Sequence, residues 1–286
     1  MNEQKSRASL ILAMCIFGTI GILRRFIPLS SSLIAMVRGF VGAAFLLAML
    51  ALRHQKLNTD AIKRNLLLLI LSGTAIGFNW ILLFEAYNYT SVATATLCYY
   101  FAPILVILAS PFVLKEKMTW RKGICTLVAL LGMVLVSGIL ETNFGGIAEL
   151  KGILFGLGAA VLYASVILMN KKIRNIPSYD KTIIQLFVAS MALVPYVLLT
   201  ENVSSIAISP LSVCLLLVAG IIHTGFAYQL YFGSMDHLKA HTVALFSYID
   251  PVLAIVLSML VLREPMSILS GIGAVMILGA AYVCEK

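Results

Sequence analysis

The side chains that could carry out chemistry in this chain are few, and the most unusual of them lie inside long apolar runs. Asp250 lies about halfway along the run 240–262, and His223 is central in the run 212–232. A charged group at the centre of a bilayer costs roughly 2.5–3.5 kcal/mol on insertion scales, so it needs a function or a partner. Histidine titrates near neutral pH, and a desolvated carboxyl group can exchange protons there as well. The two residues are therefore candidates for proton coupling, with a satisfied structural pair, or a histidine bonded to a backbone carbonyl, as the alternatives.

Arg38 and Glu85 are charged residues that lie nearer to the ends of their apolar runs. Arg38 is about one turn inside the run 33–52, and Glu85 is close to the end of the run 65–86. If both face a cavity, Arg38 can bind a substrate carboxylate and Glu85 a substrate amine, which together would anchor a zwitterion. The alternative is that both side chains reach the membrane interface and have a structural role.

Other polar and amphipathic side chains within the runs are candidates to line a substrate cavity together with His223 and Asp250. They are Asn79, Trp80, Tyr99, Tyr100, Tyr163, Tyr228, Gln229 and Tyr248. Trp and Tyr near helix ends usually belong to an interfacial belt. Because Tyr99, Tyr100 and Tyr248 lie deeper in their runs, we expect at least one of them to face the cavity.

Pro103 and Pro251 lie in the middle of two apolar runs. A proline inside a helix removes one backbone hydrogen bond and kinks the helix. The kinks would free the carbonyl groups four residues earlier, those of Tyr99 and Ser247, for water or ligand. The two prolines are therefore predicted to form a hinge, with a fixed bend of each helix as the alternative.

Signatures of enzymes and metal sites do not occur in the sequence. It has no H-E-x-x-H, no G-x-S-x-G and no Walker A motif, and no carboxylates paired at catalytic spacing. The five cysteines all lie in apolar runs, without C-x-x-C or His/Cys spacing. We predict no enzymatic activity, no cofactor and no metal, and no direct use of ATP unless a partner supplies it.

Composition indicates a membrane protein. Hydrophobic residues make up 61% of the chain and charged residues 12%, against roughly 45–50% and 25% in soluble domains. Ten apolar runs are long enough to cross a bilayer as helices: 8–24, 33–52, 65–86, 92–113, 121–139, 151–170, 182–199, 212–232, 240–262 and 267–284. Because the runs lack the alternation of barrel strands, the sequence predicts an all-α protein with ten transmembrane helices in the cell membrane.

The distribution of positive charge predicts the orientation of these helices. With the N-terminus in the cytoplasm, 16 of the 21 Lys and Arg residues fall on the cytoplasmic side and five on the outer side. This bias favours a topology with both termini inside. The net charge of +9 then reflects topology, and nucleic-acid binding is not expected because there is no soluble basic patch to support it.

The two halves of the chain repeat each other. When residues 84–135 are laid on 232–283, a shift of 148, about 15 of 52 positions are identical. The matched residues include Tyr100 and Tyr248, Pro103 and Pro251, and Glu116 and Glu264. A half-chain repeat in an apolar protein is typical of transporters built from two structural repeats.

Ten helices divide into five and five, and an odd number per half makes the two halves enter the membrane in opposite directions. The sequence therefore predicts an inverted repeat, with one five-helix unit at 8–139 and another at 151–284. The polar segment 140–150 is the predicted linker between them.

The repeated segment resembles the EamA domain of the drug/metabolite transporter superfamily. The first copy reads Y-T-S-V-A-T-A-T-L, then Y-F-A-P and L-K-E-K-M-T; the second reads A-H-T-V-A-L-F-S-Y-I-D-P followed by L-R-E-P-M-S. The resemblance implies a ten-helix inner-membrane carrier with a central cavity, often an exporter of amino acids or other metabolites.

These observations together predict a secondary-active transporter, an exporter of a small metabolite such as an amino acid, that works by alternating access. A facilitative channel or uniporter is the alternative, and an intramembrane enzyme is a further one. The expected partners are a small-molecule substrate, the lipid bilayer and, as a coupling ion, protons. One chain supplies both halves, so a monomer suffices, and a dimer is the alternative.

Overall fold

Every regular element of the described chain is a helix. A computed structural model describes residues 3–90, 95, 98–117, 119–136, 140, 147–201, 209–262 and 268–285. Its helices are α1 (Glu3–Arg25), α2 (Ser31–Leu52), α3 (Thr59–Tyr89), α4 (Ala102–Leu114), α5 (Trp120–Val136), α6 (Ile147–Lys172), α7 (Ser178–Thr200), α8 (Pro210–Val218), a π-helical segment (Ala219–Phe226), α9 (Ala227–Met235), α10 (Ala240–Phe246), α11 (Ile249–Leu262) and α12 (Ile268–Glu285). The predicted all-α class is confirmed.

Five stretches of helix within the described residues are long and apolar enough to cross a membrane. They are Ser31–Leu52, Thr59–Ala86, Leu150–Lys172, Ser178–Thr200 and Pro210–Met235, with mean hydropathy between 1.9 and 2.2. Shorter apolar helices cover Ala102–Leu114 and Gly271–Ala280. Large apolar side chains such as Phe112 and Leu199 point outward, as they do where lipid is the solvent. The count of ten spans stays a prediction.

Polar caps fix where several of these helices begin. The side chains of Ser30, Asn58 and Ser209 accept hydrogen bonds from the backbone N–H groups of the first turns of α2, α3 and α8. Such caps satisfy donors that the helix itself cannot pair. Lys115 ends α4 in the left-handed conformation, with φ of 58°. Four of the helix ends are thus fixed by residues that satisfy free backbone groups.

Close contact between backbones sets how the helices cross. A Cβ atom added to Gly42 of α2 would lie 2.9 Å from the backbone nitrogen of Gly225 in the π-helical segment. One added to Gly77 of α3 would lie 2.7 Å from the carbonyl oxygen of Ala189 in α7. Small residues allow this approach, which in lipid replaces the hydrophobic effect as the force between helices. Gly156 of α6 also packs inside the chain, since a Cβ atom added to it would lie 2.7 Å from the Cβ atom of Cys98.

The two matched prolines begin helices and do not kink continuous ones, which differs from the expectation from sequence. The run 240–262 forms two helices, α10 and α11, separated by a turn at Ser247–Tyr248. A turn at Tyr100–Phe101 likewise precedes α4. Pro103 and Pro251 therefore lie in the first turn of α4 and of α11, where the missing N–H group would have had no partner inside the helix.

Contacts between the two halves occur in matched pairs. The contact of α1 with α9 matches that of α6 with α3. The contact of α1 with α11 matches that of α6 with α4. The contact of α2 with the π-helical segment likewise matches that of α7 with α3. In each case, a shift of 148 residues converts one contact into the other. The core therefore lies between the halves, and any site in it is built by both.

Candidate functional site

Aromatic side chains from both halves form one connected group in the middle of the bundle. This aromatic cluster consists of Phe17, Trp80, Tyr99, Tyr100, Tyr163, Tyr228, Tyr231, Phe232 and Tyr248. The rings of Tyr99 and Tyr163 stack with centroids 5.4 Å apart and planes inclined by 15°. The hydroxyl groups of Tyr163 and Tyr231 are 2.7 Å apart and share a hydrogen bond. Aromatic pairs of this kind contribute roughly 0.5–1.5 kcal/mol beyond their buried area.

Two turns, one in each half, bring the matched tyrosines together. The Tyr248 hydroxyl donates a hydrogen bond of 3.1 Å to the carbonyl oxygen of Tyr100, and the two rings are 6.3 Å apart. Tyr100 lies at the turn before α4, and Tyr248 at the turn between α10 and α11. A carbonyl group at such a turn needs a partner outside its own helix, and here the partner is the equivalent residue of the other half.

Arg38 lies against the aromatic cluster without an acidic partner. Its guanidinium carbon is 4.3 Å from the centroid of the Trp80 ring, within the range of a cation–π interaction. Its Nε atom is buried and has no hydrogen-bond partner. No carboxylate of the described residues forms an ion pair with it. The side chain as a whole is half-buried, so part of the guanidinium group faces open space between the helices.

Asp250 reaches the same cluster from the start of α11. Its carboxylate lies within electrostatic range of the Tyr100 hydroxyl, and its side chain is half-buried. Helix α1 passes close to it, since a Cβ atom on Gly18 would lie 2.9 Å from the Asp250 carbonyl oxygen. No cation in the described part of the chain forms an ion pair with Asp250.

His223 does not contact Asp250. Its Nε2 atom is 2.8 Å from the hydroxyl oxygen of Thr19, and its Nδ1 atom is 3.4 Å from the carbonyl oxygen of Val218. The residue lies in the π-helical segment, a geometry that is frequent at functional sites. The carbonyl group of Asp250 and the ring of His223 therefore approach neighbouring positions of α1, Gly18 and Thr19, and the His223 ring is hydrogen-bonded to Thr19.

The family model described as the EamA-like transporter family matches residues 7–138 and 150–284. The chain belongs to the EamA-like transporter family. The resemblance read from the two sequence copies is thereby confirmed.

Curated relatives agree with this membership. The chain is 31% identical to the uncharacterized transporter YxxF of Bacillus subtilis (strain 168) over 261 residues, which cover 90% of this chain and 82% of the relative. It is 23% identical to the protein RarD of Salmonella typhi, with 90% and 87% covered. A solved crystal structure of a protein superposes with a TM-score of 0.86 at 18% identity, covering 98% of this chain and 96% of the other. That likeness shows a shared fold.

The EamA-like chain is thus a multi-pass membrane transporter of the cell membrane. The names of the family and of its relatives indicate a transporter and not an enzyme. The aromatic cluster, built between the two copies of the EamA unit, is its candidate substrate site.

Three of the residues expected in the EamA cavity have partners outside the aromatic cluster. Asn79 donates a hydrogen bond of 2.7 Å to the Ala159 carbonyl oxygen and ties α3 to α6. Gln229 donates one of 2.8 Å to the Ser178 hydroxyl and ties α9 to the start of α7. The Glu85 carboxylate accepts one of 2.6 Å from the Tyr196 hydroxyl.

Glu85 and Arg38 are not brought together. Glu85 follows Trp80 by five residues on α3, which turns it about 140° round the helix, to a face other than the one that Arg38 covers. Its amide neighbour Asn88 also donates to it, at 3.5 Å. The structure thus supplies Arg38 with an aromatic neighbour, and Glu85 with partners on α7 and in its own helix.

Sequence reasoning missed three members of the aromatic cluster, Phe17, Tyr231 and Phe232. The Phe17 ring is 5.1 Å from Tyr228 and 5.9 Å from Tyr231, edge to face. Tyr228 and Tyr231 are three residues apart and therefore lie on one helix face, so this spacing could have indicated Tyr231. Phe17 has no such signal, because nothing in an apolar run distinguishes it from the side chains that face lipid.

A polar network, also missed, closes one end of the bundle. We call it the loop clamp: Glu116, Lys171 and Lys181, with the segment 236–241 that they hold. Lys181 is fully buried and forms an ion pair of 2.7 Å with Asp236. Lys171 donates hydrogen bonds to the carbonyl oxygens of Met235 and Leu238.

Glu116 holds the other side of the loop clamp. Its carboxylate accepts a hydrogen bond of 2.9 Å from the Ala240 N–H group and lies 3.3 Å from Nδ1 of His241. Burial acts to raise the pKa of the Glu116 carboxyl, but the hydrogen bonds from His241 and Ala240 outweigh it and hold the pKa below its ordinary value. The contact joins the end of α4 in the first half to the start of α10 in the second.

Proposed function

We propose that this protein is a secondary-active carrier that exports a small metabolite, such as an amino acid, by alternating access through the aromatic cluster. Its ten spans form two inverted five-helix repeats, at 8–139 and 151–284, with both termini in the cytoplasm. The observation that carries the proposal is the aromatic cluster itself, in which repeat-related residues of the two halves contact each other. A site shared in this way changes whenever one half moves against the other.

The inverted arrangement is supported by the paired contacts between helices. The contacts of α1 with α9 and with α11, and that of α2 with the π-helical segment, each recur with the two halves exchanged. Such an exchange is expected of two units related by a two-fold axis in the membrane plane. The predicted linker at 140–150 lies mostly outside the described residues, so its side of the membrane is left to experiment.

Alternating access needs one end of the pathway to be closed while the other is open. The loop clamp supports a closed end, because it joins α4, α6 and α7 to the segment 236–241. The positive-inside rule makes this end cytoplasmic, since Lys115, Lys117 and Arg174 lie beside it. The turns at Tyr100–Phe101 and Ser247–Tyr248 are the proposed hinges, with Pro103 and Pro251 starting the helices beyond them.

Protons are the proposed coupling ion, with Asp250 as the main proton acceptor. The hydroxyls of Tyr100, Tyr163 and Tyr228 lie within electrostatic range of its carboxylate. His223, bonded to Thr19, is a separate candidate acceptor next to the neighbouring position of α1. Exchange of substrate for a proton at Asp250 would use the pH gradient across the membrane for export.

The experiment is flux in proteoliposomes, with the substrate first identified from metabolites whose excretion rises on overexpression. A carrier gives saturable flux, acceleration by unlabelled substrate on the opposite side, and accumulation driven by an imposed pH gradient. A channel gives flux that does not saturate and shows no such acceleration, and a uniporter gives no accumulation. As a control, Phe112→Leu, a change at a side chain that points away from the bundle, should transport like the parent protein.

A further inference from the structure

Four cationic residues lie close together in the chain where α4 passes into α5. They are Lys115, Lys117, Arg121 and Lys122, and together with Trp120 we call them the basic loop. Lys115, Lys117 and Arg121 are exposed. Among the described residues, no carboxylate forms an ion pair with any of the four cations. The basic loop is therefore open to an anion from outside the chain.

The basic loop lies where the hydrocarbon layer of the bilayer ends. Phe112, in the last turn of α4, is 87% exposed, and Trp120, the first residue of α5, is 85% exposed. Large rings that point outward from apolar helices face lipid, and tryptophans at helix ends lie at the level of the headgroups. Lys115 and Lys117 stand between these two rings in the chain, within reach of lipid phosphate groups.

The EamA unit does not itself require these cations. Three of the four have uncharged equivalents in the second copy, 148 residues later: Pro265, Leu269 and Ser270. In the proposed inverted repeat the two copies present these segments on opposite sides of the membrane, so the basic loop faces the cytoplasmic leaflet alone. Anionic lipids give that leaflet a negative surface potential, which attracts cationic residues next to a membrane-spanning helix.

The segment that carries Lys115 and Lys117 has two faces. Glu116, which lies between them, is turned inward, where its carboxylate accepts a hydrogen bond of 2.9 Å from the Ala240 N–H group. Lys122 braces the segment, because its Nζ atom donates a hydrogen bond of 3.1 Å to the Lys117 carbonyl oxygen. A ligand on the outer face therefore also fixes the residue that holds the loop clamp on the inner face.

We propose that the basic loop binds anionic phospholipids of the cytoplasmic leaflet and that a bound headgroup stabilises the closed loop clamp. Ammonium and guanidinium groups both donate charge-assisted hydrogen bonds to phosphate oxygens. A zwitterionic headgroup brings a cation of its own next to that phosphate, which competes with the basic loop and weakens binding. Occupancy of this lipid site can be measured without transport, whichever substrate the protein carries.

Trp120 reports on the lipid next to the basic loop. The only other tryptophan, Trp80, is 4% exposed, so bromine atoms on lipid chains quench Trp120 and leave Trp80 emitting. The full chain is placed in nanodiscs that contain brominated phosphatidylglycerol, which is anionic, or brominated phosphatidylcholine, which is zwitterionic, each mixed with the other lipid unbrominated. The quenching at each composition gives the relative affinity of the two lipids, and Trp120→Phe gives the residual signal of Trp80.

We expect phosphatidylglycerol to bind next to Trp120 at least about fivefold more tightly than phosphatidylcholine, the ratio that an attraction of about 1 kcal/mol per cation near an anionic surface gives. Lys117→Gln combined with Arg121→Gln should lose most of this preference. The matched control, Lys63→Gln combined with Arg64→Gln, removes the same two charges from exposed positions near the start of α3 and should keep it. Thermal melting of each variant separates loss of lipid binding from loss of fold.

Hydrogen exchange of the segment 236–241 measures the loop clamp. Exchange should be slower in phosphatidylglycerol than in phosphatidylcholine, and the basic-loop double variant should lose this difference. Glu116→Gln should lose it as well, but should keep the lipid preference at Trp120, because Glu116 does not face the lipid. Glycerol 3-phosphate, added in solution to phosphatidylcholine discs, should give no protection.

Three results would overturn the proposal. Equal affinity for the two lipids at Trp120 would remove the lipid site, and an equal loss of preference in the control at Lys63 and Arg64 would reduce it to an effect of total charge. Exchange of 236–241 that does not depend on the lipid would break the link to the loop clamp. Protection by glycerol 3-phosphate would assign the basic loop to a soluble phosphate ester and not to a lipid.

Discussion

The indole Nε1 of Trp80 donates a hydrogen bond of 3.2 Å to the hydroxyl of Tyr228, a residue 148 positions later in the chain. That separation is the offset at which the two halves of the sequence align. Residues related by a two-fold axis can touch each other only close to the axis. Tyr100 and Tyr248, also 148 apart, touch in the same way. The aromatic cluster therefore lies close to the two-fold axis that relates the halves. Motion of one half relative to the other acts on this cluster first.

Removing the acceptor of this hydrogen bond should destabilise the protein. Tyr228→Phe leaves the Trp80 N–H group, which is nearly fully buried, without a partner, at a cost of about 1–3 kcal/mol. We expect a clear fall in the melting temperature in detergent. The control Tyr89→Phe, at a ring that is 39% exposed, should melt like the parent protein. Equal melting of both variants would mean that water replaces the Tyr228 hydroxyl.

The orientation of the loops can be tested by cysteine labelling. In a cysteine-free background, single cysteines at 54–63 and 172–181 should react only from the cytoplasmic side, and those at 142–149 only from outside. The reason is the bias of positive residues toward one side. Reaction of 142–149 from the cytoplasm would contradict the inverted repeat.

Pro251→Ala should slow transport more than it weakens binding. An alanine at this position can donate its N–H group to the carbonyl of Ser247, which would extend α11 back across the turn and stiffen the proposed hinge. We expect slower counterflow at an unchanged equilibrium affinity. Pro111→Ala, within α4 and away from the turn, is the matched control. Parallel loss of affinity and rate would indicate that Pro251 shapes the site and does not serve its motion.

The stabilising effect of Glu116 should depend on pH. Its pKa in the folded protein lies below the ordinary value of 4.5 because His241 and the Ala240 N–H group favour the charged form over the effect of burial. The stabilisation is therefore fully present above the ordinary pKa and is lost as the pH falls through the lowered pKa. The melting temperatures of the parent protein and Glu116→Gln should differ near neutral pH and converge in acid. Glu3→Gln, at an exposed carboxylate, should give no difference at any pH.

Asp250→Asn should separate coupling from exchange. The amide keeps the size of the side chain and its capacity for hydrogen bonds but cannot carry a proton. We expect accumulation driven by a pH gradient to be abolished, while binding and substrate-for-substrate exchange persist. Accumulation with unaltered pH dependence would remove Asp250 from the coupling mechanism and leave the carrier intact.

Much of the fold follows from the sequence because its causes are local. The lengths of the apolar runs dictate helices in a membrane, since only internally bonded backbone can cross lipid. The repeat can also be identified from the sequence, because aligning the two halves needs no knowledge of contacts. The matched prolines marked the correct positions, but sequence could not tell a kinked helix from two helices separated by a turn. That choice depends on partners for the freed carbonyls, and Tyr248 supplies the partner for Tyr100.

The sequence by itself determined that this is an all-helical membrane protein of two similar halves with a few charged groups inside its apolar runs. Only the tertiary structure decided that Arg38 lies on Trp80, that Asp250 lies within electrostatic range of Tyr100, and that His223 is bonded to Thr19. The physical reason is rotation about the helix axis. A helix that is apolar all round has no preferred face, so its orientation is set by close contacts such as that of Gly42 with Gly225, between residues far apart in the chain.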